Sequence, residues 1–154
     1  METLEIEKDG YLFSNDKSKL QVYVIFNYLS QESYWAKGIP LHLVERSIEH
    51  SECFGIYHEG QQVAFARWIT DHAVFGYLAD VFILPEHRGK GLSKTLMEFM
   101  LSFPELQGCR KLLLGTRDAH GLYTQYGFKP LAVPERYMEV SKKDVYNTDK
   151  PIEN

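Results

Sequence analysis

The chain has 154 residues, with 17 Lys and Arg against 21 Asp and Glu for a formal net charge of −4, a balance that argues against a general nucleic-acid or anionic-membrane binder. Hydrophobic residues at 44% and charged residues at 25% are ordinary for a soluble globular protein, and the length suits one domain over residues 1–154. No apolar run reaches membrane-spanning length and METLEIEKDG lacks a signal-peptide core, so the expectation is a cytoplasmic protein with Cys53 and Cys109 as free thiols.

Residues 3–8 and 11–14 alternate around Asp9-Gly10 and predict a short opening strand or a hairpin. Ser18 is placed to cap a helix over 18–29, and the loop SQESYWAKGIP follows, ended by Gly38 and Pro40. A second helix over 41–50 turns Leu41, Val44 and Ile48 inward. Strands Glu52–His58 and Gln61–Thr70 are joined by Glu59-Gly60, a hairpin turn signal. Residues 70–73 then turn into a strand over 74–84, so continuously apolar apart from Asp80 that it reads as buried on both faces. Pro85 ends it. Leu92, Leu96, Phe99, Met100 and Phe103 fall on one face of a third helix. Pro104 and Gly108 separate that helix from a strand over 111–115. Asp118 is placed to cap a short helix over 119–126, which stops at Gly127. Residues 128–133 and 136–140 read as closing strands, and 141–154 as a flexible polar tail. This order predicts an α/β fold, a mixed sheet with helices on both faces.

Between the strand over 74–84 and the third helix lies Glu86-His87-Arg88-Gly89-Lys90-Gly91. Its glycines let the backbone approach a ligand closely, and no Ser, Thr, Asp or Asn stands at the helix start to satisfy the first N–H groups. An uncapped helix N-terminus flanked by Arg88 and Lys90 suits an anion, most naturally phosphate. The plain alternative is a basic turn with no ligand. A dinucleotide fingerprint fails because Lys94 stands where a third glycine would be, and a P-loop fails at Ser93.

Taken with its neighbours, PEHRGKGLSKTLMEFM resembles the pyrophosphate-binding segment of the GNAT acetyltransferases, with Glu86 where that family prefers Gln or Arg. Residues 116–128, TRDAHGLYTQYGF, are similar to the family segment in which Asn-x-x-Ala-x-x-Leu-Tyr leads to Gly-Phe. Ala119, Leu122, Tyr123, Gly127 and Phe128 match, while Thr116 replaces the Asn. SYWAKG, FARWITD and LADVFIL resemble a bacterial subgroup of mostly unassigned substrate, and the element order matches along essentially the whole chain. The resemblance implies a mostly antiparallel sheet splayed at the cofactor site. It also implies acetyl-CoA-dependent N-acetyl transfer to a small-molecule or peptide amine, by direct attack in a ternary complex. The reading from a different class is a catalytically silent acyl-CoA-binding sensor. A homodimer through the C-terminal strands is compatible with the family, and no nucleic-acid or membrane partner is expected.

Such a reaction needs orientation, an unprotonated amine, a donor for the tetrahedral oxyanion and a proton for the departing thiolate. The resemblance places cofactor contacts at Val81, Phe82 and Ile83, with the Val81 N–H as oxyanion donor. Further cofactor contacts fall at Arg88, Gly89, Lys90, Gly91, Leu92 and Ser93, and at Thr116, Ala119 and Tyr123. Tyr123 is the general acid by the same resemblance; by its residue type alone it is equally a core aromatic. Asp80 interrupts an apolar strand, where a charge is costly; the resemblance implies a carboxylate that helps bind or deprotonate the amine, directly or through water, and the alternative is a structural acid satisfied by backbone amides where the sheet splays. Glu32, Tyr34 and Trp35 lie in the loop from which the family builds its acceptor pocket, where aromatics and an acid suit an ammonium group, although Trp35 can equally anchor the loop to the core. Arg67, Trp68, Asp71 and His72 can contribute across the sheet, but no spacing compels it. The six histidines form no ligand-type cluster, so no metal is expected.

Overall fold

The protein is described by a computed structural model over residues 1–146. Six strands form one sheet in sequence order: β1 Glu5–Lys8, β2 Tyr11–Ser14, β3 Glu52–His58, β4 Gln61–Thr70, β5 Phe75–Ile83 and β6 Lys111–Leu114. The first four pairings are antiparallel, and β5 runs parallel to β6. The hairpins follow from local chemistry. Asp9 and Gly10, then Glu59 and Gly60, all take positive φ, as the tight two-residue turns of a twisted ribbon require. The parallel β5–β6 pair needs a crossover, which α3 Leu92–Leu101 and the short α4 Pro104–Gln107 supply. α4 has no counterpart in the sequence expectation.

Helices cover both faces. α3 packs Leu92, Leu96, Met97, Phe99 and Met100 onto Phe13, Phe54, Ala64, Ala66 and Trp68. On the opposite face, α1 Val22–Asn27 and α2 Leu41–Glu49 pack Ile25, Val44 and Ile48 over Cys53, Phe65 and Phe82. Among the described residues no helix is long and apolar enough to cross a membrane.

Four expectations are corrected. The strand over 74–84 is not buried on both faces throughout, because α1 and α2 leave its first half uncovered: Phe75 and Tyr77 are exposed while Gly76 and Leu78 are buried. The first helical segment is capped by Asp16, whose Oδ1 accepts from the Ser18 N–H at 2.9 Å. It is broken into a 3₁₀ turn at Lys17–Lys19, α1 and a π-helical turn at Tyr28–Glu32. Among the described residues Asp118 caps no helix; Thr116 Oγ1 accepts the Ala119 N–H at 3.0 Å, ahead of a shorter α5, His120–Thr124. Residues 128–140 form no strand, and 134–136 turn as a 3₁₀ helix. Pro130 and Pro134 lack the N–H that a ladder needs. Of the tail expected over 141–154, residues 147–154 lie outside the described residues.

The sheet is open where the cofactor site was expected. β6 pairs with β5 only from Phe75↔Lys111 to Leu78↔Leu114, so from Ala79 onward the outer side of β5 has no ladder partner. On its inner side the register jumps from Arg67↔Ala79 to Phe65↔Phe82. Asp80 and Val81 therefore stand against Ala66 alone, a β-bulge, and Asp80 takes φ +53°.

Candidate active site

The bulge and the open edge aim β5's backbone outward. Leu84 N–H is donated inward to Val63 at 2.8 Å, so the pleat turns the Ile83 amide and carbonyl the other way, and that of Val81 with them. The Ile83 carbonyl indeed accepts from Arg88 Nε at 2.9 Å. The same arginine donates through Nη2 to Tyr28 Oη at 3.1 Å, and Tyr28 stacks on Phe82 with ring centroids 4.0 Å apart.

Beyond Arg88 the chain enters α3 through Gly89 and Gly91, at φ +77° and +75°, with nothing within 4 Å of where a Cβ would stand at either position. No side chain caps the helix. Among the described residues the amides of residues 89–94 donate to no protein acceptor. A cluster of unsatisfied N–H groups at the positive end of a ten-residue helix is an electrostatic trap for an anion.

A cavity of about 550 Å³ runs past this cradle, lined by Tyr28, Glu32, Tyr34, Trp35, Val81, Phe82, Ile83, Arg88, Gly89, Gly91, Leu92, Ser93, Ala119 and Tyr123 among others. A second cavity, of about 620 Å³, lies in the gap between β5 and β6 and is lined by Arg67, Tyr77, Asp80, Gly115 and Thr116. Tyr34, Trp35, Val81, Arg117, Asp118, Ala119 and Tyr123 line both. Most of the residues singled out from sequence thus meet along one groove. Asp80 and Thr116 border the second cavity, and Lys90 lies off the groove beside Lys8, His58 and Lys94.

Residues 49–130 match the acetyltransferase (GNAT) domain family. The chain belongs to the GNAT acetyltransferase family. A Gibberella zeae protein is 34% identical, with 79% of this chain and 81% of that protein covered. A GNAT-family crystal structure from Xanthomonas campestris is 51% identical, covers 92% of this chain and all of its own, and superposes with a TM-score of 0.89. A Clostridium acetobutylicum protein crystallised with acetyl-CoA shares the fold at 14% identity and a TM-score of 0.61, over 85% of this chain and 94% of its own. All three are named as acetyltransferases provisionally. GNAT enzymes use acetyl-CoA as acetyl donor.

Within this GNAT chain Tyr123 sits at the junction of the two cavities, 8% exposed. Its ring packs edge-on against Phe128 at 6.0 Å. Its hydroxyl has no hydrogen-bond partner among the described residues. Burial, and secondarily the neighbouring Tyr34, push its pKa above the ordinary phenol value, so the group stands protonated at neutral pH. His120, on the same short helix, lies off both cavities and lines a smaller apolar one with Leu113 and Phe128.

Asp80 is held by side chains and not by the backbone amides expected of a structural acid. Among the described residues no backbone amide satisfies it; Arg67 Nε donates to Oδ2 at 2.6 Å and Trp35 Nε1 to Oδ1 at 2.7 Å. Tyr34 Oη accepts the Arg117 N–H at 3.2 Å, and the Arg117 guanidinium lies 3.9 Å from the centre of the Tyr34 ring. Trp68 is fully buried in the core, Asp71 Oδ1 accepts the amides of Ala73, Val74 and Phe75, and His72 faces Glu52. None of the three lines the groove. Tyr28 and Arg117 are the site residues that sequence reasoning passed over. Tyr28 reads as one more aromatic on an amphipathic helix, whereas Arg117 lay within the matched segment and could have been noticed beside Asp118. Among the described residues no group of three or more His, Cys, Asp or Glu side chains could hold a metal ion.

Proposed function

We propose that this acetyltransferase moves the acetyl group from acetyl-CoA to a primary amine with both substrates bound together. The observation that carries the reading is the junction of the two cavities at an unpartnered, protonated Tyr123 hydroxyl. One cavity leads to an anion cradle, and the other opens between the splayed strands.

Acetyl-CoA fits the groove because its diphosphate meets the free amides of residues 89–94, where glycines at positive φ leave open space for it. When bound it supplies an activated acyl carbonyl and a thiolate leaving group. Arg88 braces the turn onto Ile83 and Tyr28, so its contribution to the phosphates is positive charge as well as shape. Val81 and Ile83 offer the open edge of β5 to the pantetheine arm, and the Val81 N–H donates to oxygen charge developing on the acyl carbon. Phe82, on the inner face, fixes that edge by packing in the core and under Tyr28. Thr116, by accepting the Ala119 N–H, shapes the turn that delivers Tyr123. Tyr123 holds the proton that the sulfur needs. Tyr34 and Trp35, which line both cavities, border the amine's approach, and Glu32, on the cradle side of them, is the acid that attracts an ammonium group.

The test is thiol release from acetyl-CoA against polyamines, amino acids, aminoglycosides, aryl amines and N-terminal peptides, with mass spectrometry of the product. An N-acetylated product from at least one class is expected. Tight acetyl-CoA binding without transfer to any class would overturn the reading in favour of an acyl-CoA-binding module.

A further inference from the structure

The amine-side cavity has one wall that is tied down from inside the sheet. Trp35 sits on a loop and is 41% exposed, a placement in which a large side chain ordinarily samples several rotamers. Its indole N–H is nevertheless bound at 2.7 Å to Asp80, 45 residues away. Asp80 is itself fixed: its other oxygen takes Arg67 Nε at 2.6 Å, and the two side chains are only 11% and 15% exposed. Arg67 is anchored in turn by Nη1 donating to Ser51 Oγ at 2.9 Å, and Ser51 donates to the Ser47 carbonyl at 2.6 Å. Asp80 holds φ +53° within the β5 bulge, a conformation that a residue other than glycine keeps only when its surroundings over-determine it. A carboxylate with both oxygens engaged by cationic and indole donors is poorly placed to take a proton from an amine. It is well placed to be a fixed post.

We propose that Arg67 is a positioning residue for acceptor selection: through Asp80 it holds the Trp35 indole as a rigid wall of the amine-side cavity. The proposal rests on the reading of that cavity as the amine's entry. The relay joins α2, through Ser47, and the turn before β3, through Ser51, to a side chain of the acceptor loop by way of β4 and the β5 bulge, so the wall inherits the rigidity of the sheet. It assigns Asp80 to holding that wall rather than to deprotonating the amine.

The chain has two tryptophans, and Trp68 is fully buried. Acrylamide quenching of the native emission therefore reads Trp35, and Trp35→Phe confirms that share. Asp80→Ala is expected to raise the quenching and shift the emission to the red. Asp80→Asn, which keeps an oxygen for the indole, is expected to do so less, and it carries the test if Asp80→Ala does not fold. With acetyl-CoA and spermidine, benzylamine or an alanyl peptide as probe, Asp80→Asn is expected to raise the amine KM while kcat stays within about tenfold of wild type. Loss of a general base would instead cost roughly 10²-fold or more. Quenching equal to wild type in a folded Asp80→Ala protein would overturn the anchor. A kcat loss of that larger size in Asp80→Asn, with the Trp35 signal unchanged, would overturn it too and make Asp80 the base. If wild type transfers to none of the amines, the transfer reading fails, and the quenching result still decides the anchor.

Discussion

Tyr123→Phe removes one hydroxyl from a buried ring and leaves its edge-on contact with Phe128 in place. Because that hydroxyl has no protein partner among the described residues, no intramolecular hydrogen bond is lost. The fold should therefore lose less than about 1 kcal/mol. Burial holds the phenol's pKa above 10.0, so through the neutral range it can give a proton but not take one. A general acid is worth about 10²- to 10⁴-fold, and at about 1.36 kcal/mol per decade the barrier should rise by roughly 3–5 kcal/mol. Acetyl-CoA affinity should move by less than about tenfold, the scale of a single ordinary hydrogen bond. Thiol release at saturating amine gives kcat, and calorimetry gives the affinity. An acyl donor whose thiol is more acidic should shrink the defect, since its thiolate leaves without help. Full turnover in Tyr123→Phe with a good acceptor would refute the assignment and leave water as the proton source.

Gly91→Asp should preserve the fold, since the space around the missing Cβ is open and Asp tolerates positive φ better than most residues. The added charge should weaken acetyl-CoA binding by tenfold or more, about 1.4 kcal/mol; unchanged calorimetric affinity would refute the cradle. Wild-type affinity should also fall with added salt, as screening of an anion site demands. Tyr34→Ala removes the ring beneath Arg117, a contact worth about 0.5–2 kcal/mol. It should change the ranking of amines in the thiol-release panel while leaving acetyl-CoA affinity within about threefold; an equal loss for every amine together with a lowered melting temperature would mean that Tyr34 only supports the fold. Burial pushes the Cys53 thiol from its ordinary 9.0 up to about 12, so native protein should leave Cys53 unmodified by thiol reagents and unfolded protein should react. The folded state keeps this proton after the unfolded chain has lost it, so this contribution to stability is intact below about pH 9 and drains away as pH rises toward about 12, by on the order of 4 kcal/mol. Chemical denaturation at a series of alkaline pH values reads that slope, and Cys53→Ala should flatten it.

Much of the architecture was legible in the residues because it is local. The turn signal Glu59-Gly60 separates β3 and β4, Glu52–His58 and Gln61–Thr70, and the apolar spacing from Leu92 marks the face of α3 that enters the core. The glycines at 89 and 91 and the lack of a capping residue type before Leu92 are readable in the sequence, whereas their positive φ and the free amides beside them are decided by the structure. Proline chemistry is equally local: Pro130 and Pro134 lack the N–H a ladder needs, and residues 128–140 form no strand. What only the tertiary structure decided is which distant groups meet. Arg67 and Asp80 are thirteen residues apart, and they pair because β4 and β5 are antiparallel with a bulge opposite Ala66; shifted by one residue, either side chain would point to the other face. Trp35 reaches the same carboxylate across 45 residues, and Tyr28 reaches Arg88 across 60. Sequence marks Asp80 as a costly charge in an apolar strand, but whether that charge is a base or a post depends on register and loop closure. Those are set by the global packing of the sheet, and no window of the chain contains them.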